Sequence, residues 1–271
     1  MTKRAERSRL NEAPLIFVLA QVRIAAVLRM QSHIPEIQDQ LRGKGFVRFK
    51  EVQGQQVVFG PAPKVTPIHQ WVFANRDRSS AVVLAPDFVV LETNQYSKFE
   101  QFAEDLLAVL NVVGEVARVD LAERLGLRYV DLIRPARTGD TYRDYLRSSL
   151  HGLDTSALSK GEVFHRLETR AETDVGGTLV VKVAHSKNGG YLPPDVDGNH
   201  LAFDDVPDKG EHVVVLDIDH FSEEPRDFKP TKLVDGMWEL HGLVRKAFEQ
   251  AVTPHAIEQW KPVGKWNVGN S

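Results

Sequence analysis

Apolar residues along this chain follow two periods, two and roughly three and a half, and the periods alternate in blocks. APLIFVLAQVRIAAVLRM, from Ala13, is β-branched and apolar with polar residues entering at Gln21 and Arg23, which predicts a long strand. HIPEIQDQLRGKG follows, where Pro35 suits a first helical turn and Gly43 a C-terminal stop. The segments FVRFKEV, QQVVFG, HQWVFAN, SAVVLAP and DFVVLET, divided by Gly, Pro, Asn and Asp, predict a run of short strands. Ser97 and Glu100 then have the spacing of a capping box. Beyond them Phe99, Phe102, Leu106, Leu110 and Val113 form one helical apolar stripe, with Gly114 near its end.

From Val119 the pattern restarts. LAERLGLRYVDLIRPA reads as a long strand, DTYRDYLRSSLHG as a short helix closed by Gly152, and EVFHRLETRAET with GTLVVKVAHS as two strands about a Gly176-Gly177 turn. HVVVLDIDHF is a further strand. TKLVDGMWELHGLVRKAFEQAV is a helix with Leu233, Met237, Leu240, Val244, Phe248 and Val252 on one side. Two segments at matching points read alike, FVVLETNQYS from Phe88 and VVVLDIDHFS from Val213. Acid meets acid at Glu92/Asp217, amide meets acid at Asn94/Asp219 and ring meets ring at Tyr96/Phe221. Duplication of one folding unit explains this better than a catalytic signature used twice.

The expected fold is therefore α+β: pseudo-duplicated strand–helix–antiparallel strands–helix units in one composite domain, forming a curved antiparallel sheet with the long helices on one face. The expected divisions are a basic flexible tail over 1–11, repeats over 12–118 and 119–260, and a second tail over 261–271. KNGGYLPPDVDGNHLAFDDVPDKGE, residues 187–211, lengthens the second repeat without periodicity, and long irregular loops of this kind are often functional or mobile.

The doubled element order resembles that of the TATA-binding protein, which implies a tandem fold. NEAPLIFVLAQVRI, LAPDFVVLETNQYSKFEQF, RLGLRYVDLI and AFEQAVTPHAIEQW are similar to a sporadically distributed family of uncharacterised prokaryotic proteins. That likeness implies no activity or site residues. Sporadic distribution points to mobile elements, and so to defence, toxin neutralisation or immunity.

Composition removes several classes of function. At 271 residues the chain can bury a full core without staples, and it has no cysteine, so thiolate zinc sites, thiol nucleophiles and disulfides are excluded. MTKRAERSRLNEAP lacks the apolar run of a signal peptide, and the apolar runs are too short to span a bilayer; a cytoplasmic protein with no membrane partner is expected. A net charge of −3 gives global electrostatics no pull toward nucleic acid. G-x-S-x-G, a Walker loop and H-E-x-x-H are all missing, the histidines have no ligand spacing, and no cofactor is expected. Trp71, Trp238, Trp260 and Trp266 read as packing residues, with Trp260 and Trp266 near the terminus as alternative anchors for a partner.

Alternation gathers the remaining polar candidates. Arg124 and Arg128 share one face of their strand; Arg166, Glu168, Arg170 and Glu172 line one face of theirs; Lys182 stands among apolar neighbours. If these faces coincide, the sheet presents a mixed Arg/Glu surface whose guanidinium forks suit carboxylate or phosphate, or else a solvated face of cross-strand ion pairs. Asp195 and Asp197 head an acidic stretch in the insertion. Asp217, Asp219 and His220 are the sharpest polar cluster and the only metal candidates, although Glu92 and Asn94 at the matching positions argue for a plain strand end.

The expected function is a non-catalytic binding or adaptor protein that engages another macromolecule, a protein first, through Arg124, Arg128, Arg166, Arg170, Lys182, Asp195 and Asp197. A nucleic-acid binder using the sheet arginines with Lys3, Arg4, Arg7 and Arg9 is the alternative, and a metal-dependent hydrolase the second alternative. An open sheet edge leaves room for a homodimer.

Overall fold

A computed structural model describes residues 9–58, 64–135, 137–154, 164–186, 190–266 and 268, with the side chains of all but 55–58 and 64–68. The described chain builds one antiparallel sheet of ten strands. The first half contributes β2 (Leu15–Ile24), α1 (Met30–Gly43), β3 (Arg48–Val58), β4 (Lys64–Ala74), β5 (Ser80–Ala85), β6 (Phe88–Thr93) and α2 (Phe99–Ala117). The second contributes β7 (Leu121–Ile133), α3 (Tyr142–Tyr145), β8 (Arg166–Glu172), β9 (Thr178–Ser186), β10 (Val213–Ser222), β11 (Arg226–Asp227), α4 (Pro230–Ala251) and α5 (Pro254–Gln259). Along the sheet the order is β3-β4-β5-β6-β2-β7-β10-β9-β8, with β11 also on β7.

That order is nearly palindromic about the β2–β7 pair, and the register shows why the two look-alike segments match. Val89 faces Val22 and Glu92 faces Leu19 in the first half; Val214 faces Ile133 and Asp217 faces Val130 in the second. Leu19 is thus the counterpart of Val130, and Val18 that of Tyr129. Val18 and Tyr129 pair with each other at the centre, flanked by Phe17↔Val130 and Leu19↔Arg128, which the same pseudo-two-fold exchanges. Among the described residues the halves differ in that four strands (β6, β5, β4 and β3) lie beyond β2 in the first, but three (β10, β9 and β8) lie beyond β7 in the second, where the short β11 also pairs with β7.

Period-two alternation makes the sheet two-faced. Val18, Ala20, Val22, Leu125, Leu127, Tyr129, Leu216 and Ile218 point to the helices and join the main core, which the stripes of α1 (Met30, Ile34, Ile37, Leu41), α2 and α4 complete. Close approach of helix to sheet and loop needs small residues: a Cβ at Gly236 would lie 2.9 Å from Leu125, and one at Gly114 would lie 2.8 Å from the Phe228 ring. Gly114 is thus a packing residue inside α2, and the helix ends on Arg118 in the left-handed region. Phe17, Val83, Val90, Val130, Leu132 and Val215 point the other way into a second apolar cluster, which Leu201 joins from the insertion. No helix among the described residues is long and apolar enough to cross a membrane.

Several expectations need correction. Helix α1 begins one turn earlier than Pro35 suggested, so the proline lies inside it. Helix α2 starts at Phe99 behind Lys98, whose side chain makes no capping hydrogen bond, so Ser97 is outside the N-cap position. The expected helix over 140–152 is cut to one turn, capped by Thr141 and Asp144, because Leu146 bridges to Val252 and Arg147 donates to the Val252 carbonyl at 2.9 Å. Tertiary pairing with the end of α4 outcompetes local propensity there. The tails are not both free: Arg9–Leu10 (β1) pairs with Pro262–Val263 (β12), and Lys261 bonds to Glu12. Lys3, Arg4 and Arg7 lie outside the described residues.

Candidate functional site

The face opposite the helices collects nearly every polar side chain singled out above. On β7, even-numbered positions from Arg124 to Leu132 point this way; on β10, Val213, Val215, Asp217 and Asp219 do, and the register sets Lys182 of β9 beside Asp217 and Glu168 of β8 beside Lys182. The insertion folds back across this face. Its Tyr191, Leu192, Val196, Leu201 and Phe203 pack on the second apolar cluster, which makes it a strap over the sheet rather than a loose loop.

One guanidinium ties strap to sheet. Arg128 donates from Nε and Nη2 to the two Asp217 oxygens, both at 2.7 Å. It also donates from Nη1 and Nη2 to the two Asp195 oxygens at 2.7 and 3.0 Å. Burial works against the Arg128 charge, but its hydrogen bonds to two carboxylates outweigh it and raise its pKa, while the bond from Arg128 lowers that of Asp195. Such two-pronged pairing is the strong form of ion pair. Arg124 lies behind: it donates to the Gln21 side chain at 2.8 Å, stands 3.7 Å from Asp219 and covers the Phe221 ring at 4.4 Å. Burial is the largest influence on both, lowering the pKa of Arg124 and raising that of Asp219.

The strap's far end is held by the first half. Arg78, in the left-handed region between β4 and β5, donates to the carbonyls of Asn199, His200 and Leu201, and its own carbonyl accepts from Ala202 N–H at 2.9 Å. Asn94 donates to the Ala202 carbonyl, and His200 lies 2.9 Å from Glu92. Burial raises the Glu92 pKa. Burial works against the His200 charge, but the hydrogen bond to Glu92 and the Glu92 and Asp197 charges outweigh it, so the His200 pKa is raised too. The acidic and amide positions of the two look-alike segments therefore all serve this face.

Of the expected residues, Arg128 and Asp195 meet directly and Arg124 adjoins them. Arg166 and Lys182 line a groove of about 400 Å³ between β8–β9 and the strap, together with Leu192, Pro193, Pro194 and Asp195. Arg170 is exposed and paired with Glu168 at 2.8 Å. Asp197 is off the sheet: it accepts from Asn199 N–H and stands 3.5 Å from His200, organising the strap's own turn. The metal reading fails. Asp217 and Asp219 face the strap, whereas His220 points through the opposite face to Thr173 and the Leu240 carbonyl, and no group of three ligands occurs among the described residues. Sequence reasoning missed Arg78 and His200, which carry no local pattern.

The two-faced sheet and its strap define an antiparallel α+β protein whose second face is occupied by its own insertion. Compared with known proteins, the chain matches no family profile and no curated sequence.

Proposed function

We propose that this is a non-catalytic binding protein that takes an acidic segment of another protein into the groove between β8–β9 and the strap. The observation that carries this reading is that Arg166 and Lys182 have no carboxylate within ion-pair distance among the described residues, while Arg124 and Arg170 each have one and Arg128 has two. The groove also offers Leu192, Pro193 and Pro194 as apolar footing. Asp195 on Arg128 is a built-in example of the same recognition, so a partner carboxylate that competes for Arg128 would loosen the strap. Defence, toxin neutralisation or immunity is the setting that the family likeness suggests.

The test is capture from extract of the source organism, nuclease-treated, with the wild type and with Arg166→Glu/Lys182→Glu, followed by titration of the purified partner. The expected result is a protein that binds wild type and loses at least ten-fold affinity to the double variant. Equal affinity for both would remove the groove from the reading.

A further inference from the structure

A second cavity, of about 270 Å³, lies on the helix face between the middle of the sheet, α4 and the paired terminal segments. Its volume equals that of about nine water molecules at ~30 Å³ each, the scale of one small metabolite. Two groups lining it are buried with unmet and opposite demands. Asp131, on the sheet beside Tyr129, is 3% exposed and has no hydrogen-bond or ion-pair partner among the described residues; the one charge that reaches it, Asp217 across the sheet, has the same sign. Trp266, on the terminal segment, has a buried indole N–H with no acceptor among the described residues.

Among the described residues the cations that line the cavity are Arg245 and Arg9. Arg245 of α4 lies over the Trp266 ring at 5.0 Å and is ion-paired with Glu249 at 3.2 Å, and Arg9 lines the cavity from β1. Tyr96, Tyr129 and His241 line the cavity as well, the Tyr129 hydroxyl being 3.1 Å from both the Tyr96 hydroxyl and His241 Nδ1. Burial, with Arg245 adding to it, lowers the His241 pKa to about 3, so the imidazole is neutral and contributes no charge. The cavity thus combines a carboxyl on β7 with donors on α4 and the terminal segments.

We infer that this cavity binds a small zwitterion of the amino-acid class, its ammonium on Asp131 and its carboxylate on the Trp266 N–H beside Arg245 and Arg9. An ammonium supplies the donors and the positive charge that Asp131 lacks, and aromatic walls suit it. The site lies on the opposite face from the strap, so it stands or falls separately from the groove.

Burial without a counter-ion raises the Asp131 pKa to about 8, so the carboxyl is protonated at pH 7 before binding and must ionise on meeting an ammonium. Binding should then release close to one proton. The test screens the standard amino acids singly against the full chain by thermal shift, then takes the best into calorimetry at pH 7 in buffers of different ionisation enthalpy. Its decarboxylated amine and deaminated acid serve as controls. The expected result is saturable binding with proton release, a loss of at least ten-fold for each control and for Asp131→Asn, and no binding to Val244→Trp, which fills the cavity. No saturable binder in the screen, binding without proton release, or an amine as tight as its amino acid would overturn the inference.

Discussion

Removing the Arg128 guanidinium tests the strap directly. In Arg128→Met the Asp217 carboxylate, 4% exposed, loses both of its donors and remains in a place where water cannot replace them. Breaking a buried pair from one side costs about 3–5 kcal/mol. Asp195→Asn removes the other half of the clamp, but that side chain is 58% exposed and Arg128 keeps Asp217, so the cost should be about 1 kcal/mol. Arg128→Met with Asp217→Leu replaces the buried pair by apolar groups of similar size and should recover most of the loss, to within about 1 kcal/mol of wild type. Urea unfolding followed by circular dichroism gives the three values. Hydrogen exchange adds the local readout: in Asp195→Asn the Leu201 and Ala202 amides, which bond to Gly198 and Arg78, should open about five-fold more often while β10 is unchanged. A cost below about 1 kcal/mol for Arg128→Met, or unaltered exchange in the strap, would refute the clamp.

Two further outcomes follow from particular groups. Because the folded-state pKa of Asp131 is about 8 against an ordinary 3.8, the folded protein holds a proton that the unfolded chain has lost, so stability contributed by this group is present below about pH 4 and falls as pH rises toward 8. Urea unfolding at several pH values should show that slope in wild type and a flatter one in Asp131→Asn; parallel curves would contradict it. Gly177 has a φ of 86°, and a Cβ there would lie 2.0 Å from the Phe221 carbonyl oxygen, whereas Gly176, at 82°, faces open space. Gly177→Ala should cost well over the roughly 1–2 kcal/mol of left-handed strain expected for Gly176→Ala, read as the larger drop in Tm.

The sequence made the frame legible because the frame is periodic. The stripes of α2 and α4 and the alternation of β7 and β10 are local patterns, and each buries the side that the pattern assigns to it. Glu92 and Asp217 could be matched by eye for the same reason. Arg128 and Asp195 could each be named, but their meeting could not. It depends on an insertion without periodicity folding back over the sheet, and its anchors Arg78 and His200 look like ordinary turn residues until the fold brings them 122 positions together. Nor does any local spacing announce Asp131, Tyr96, His241 and Trp266, which come from four separate elements to one cavity. The shortened α3 failed for a related reason, since Leu146 answers to Val252 rather than to its own neighbours.

The broken symmetry of the halves explains why the strap lies where it does. Glu92 and Asp217 are equivalent, and both are buried on the strap face, so each requires a partner. In the second half the sheet supplies one, Arg128. The register makes Phe17 the first-half counterpart of Arg128, so Glu92 has no guanidinium available from the matching position. The strap fills that vacancy with His200, and at its other end Asp195 takes the donors that Asp217 leaves on Arg128. One insertion thus satisfies an acid lacking a base in one half and a base with donors to spare in the other, which a perfectly duplicated sheet would neither need nor hold.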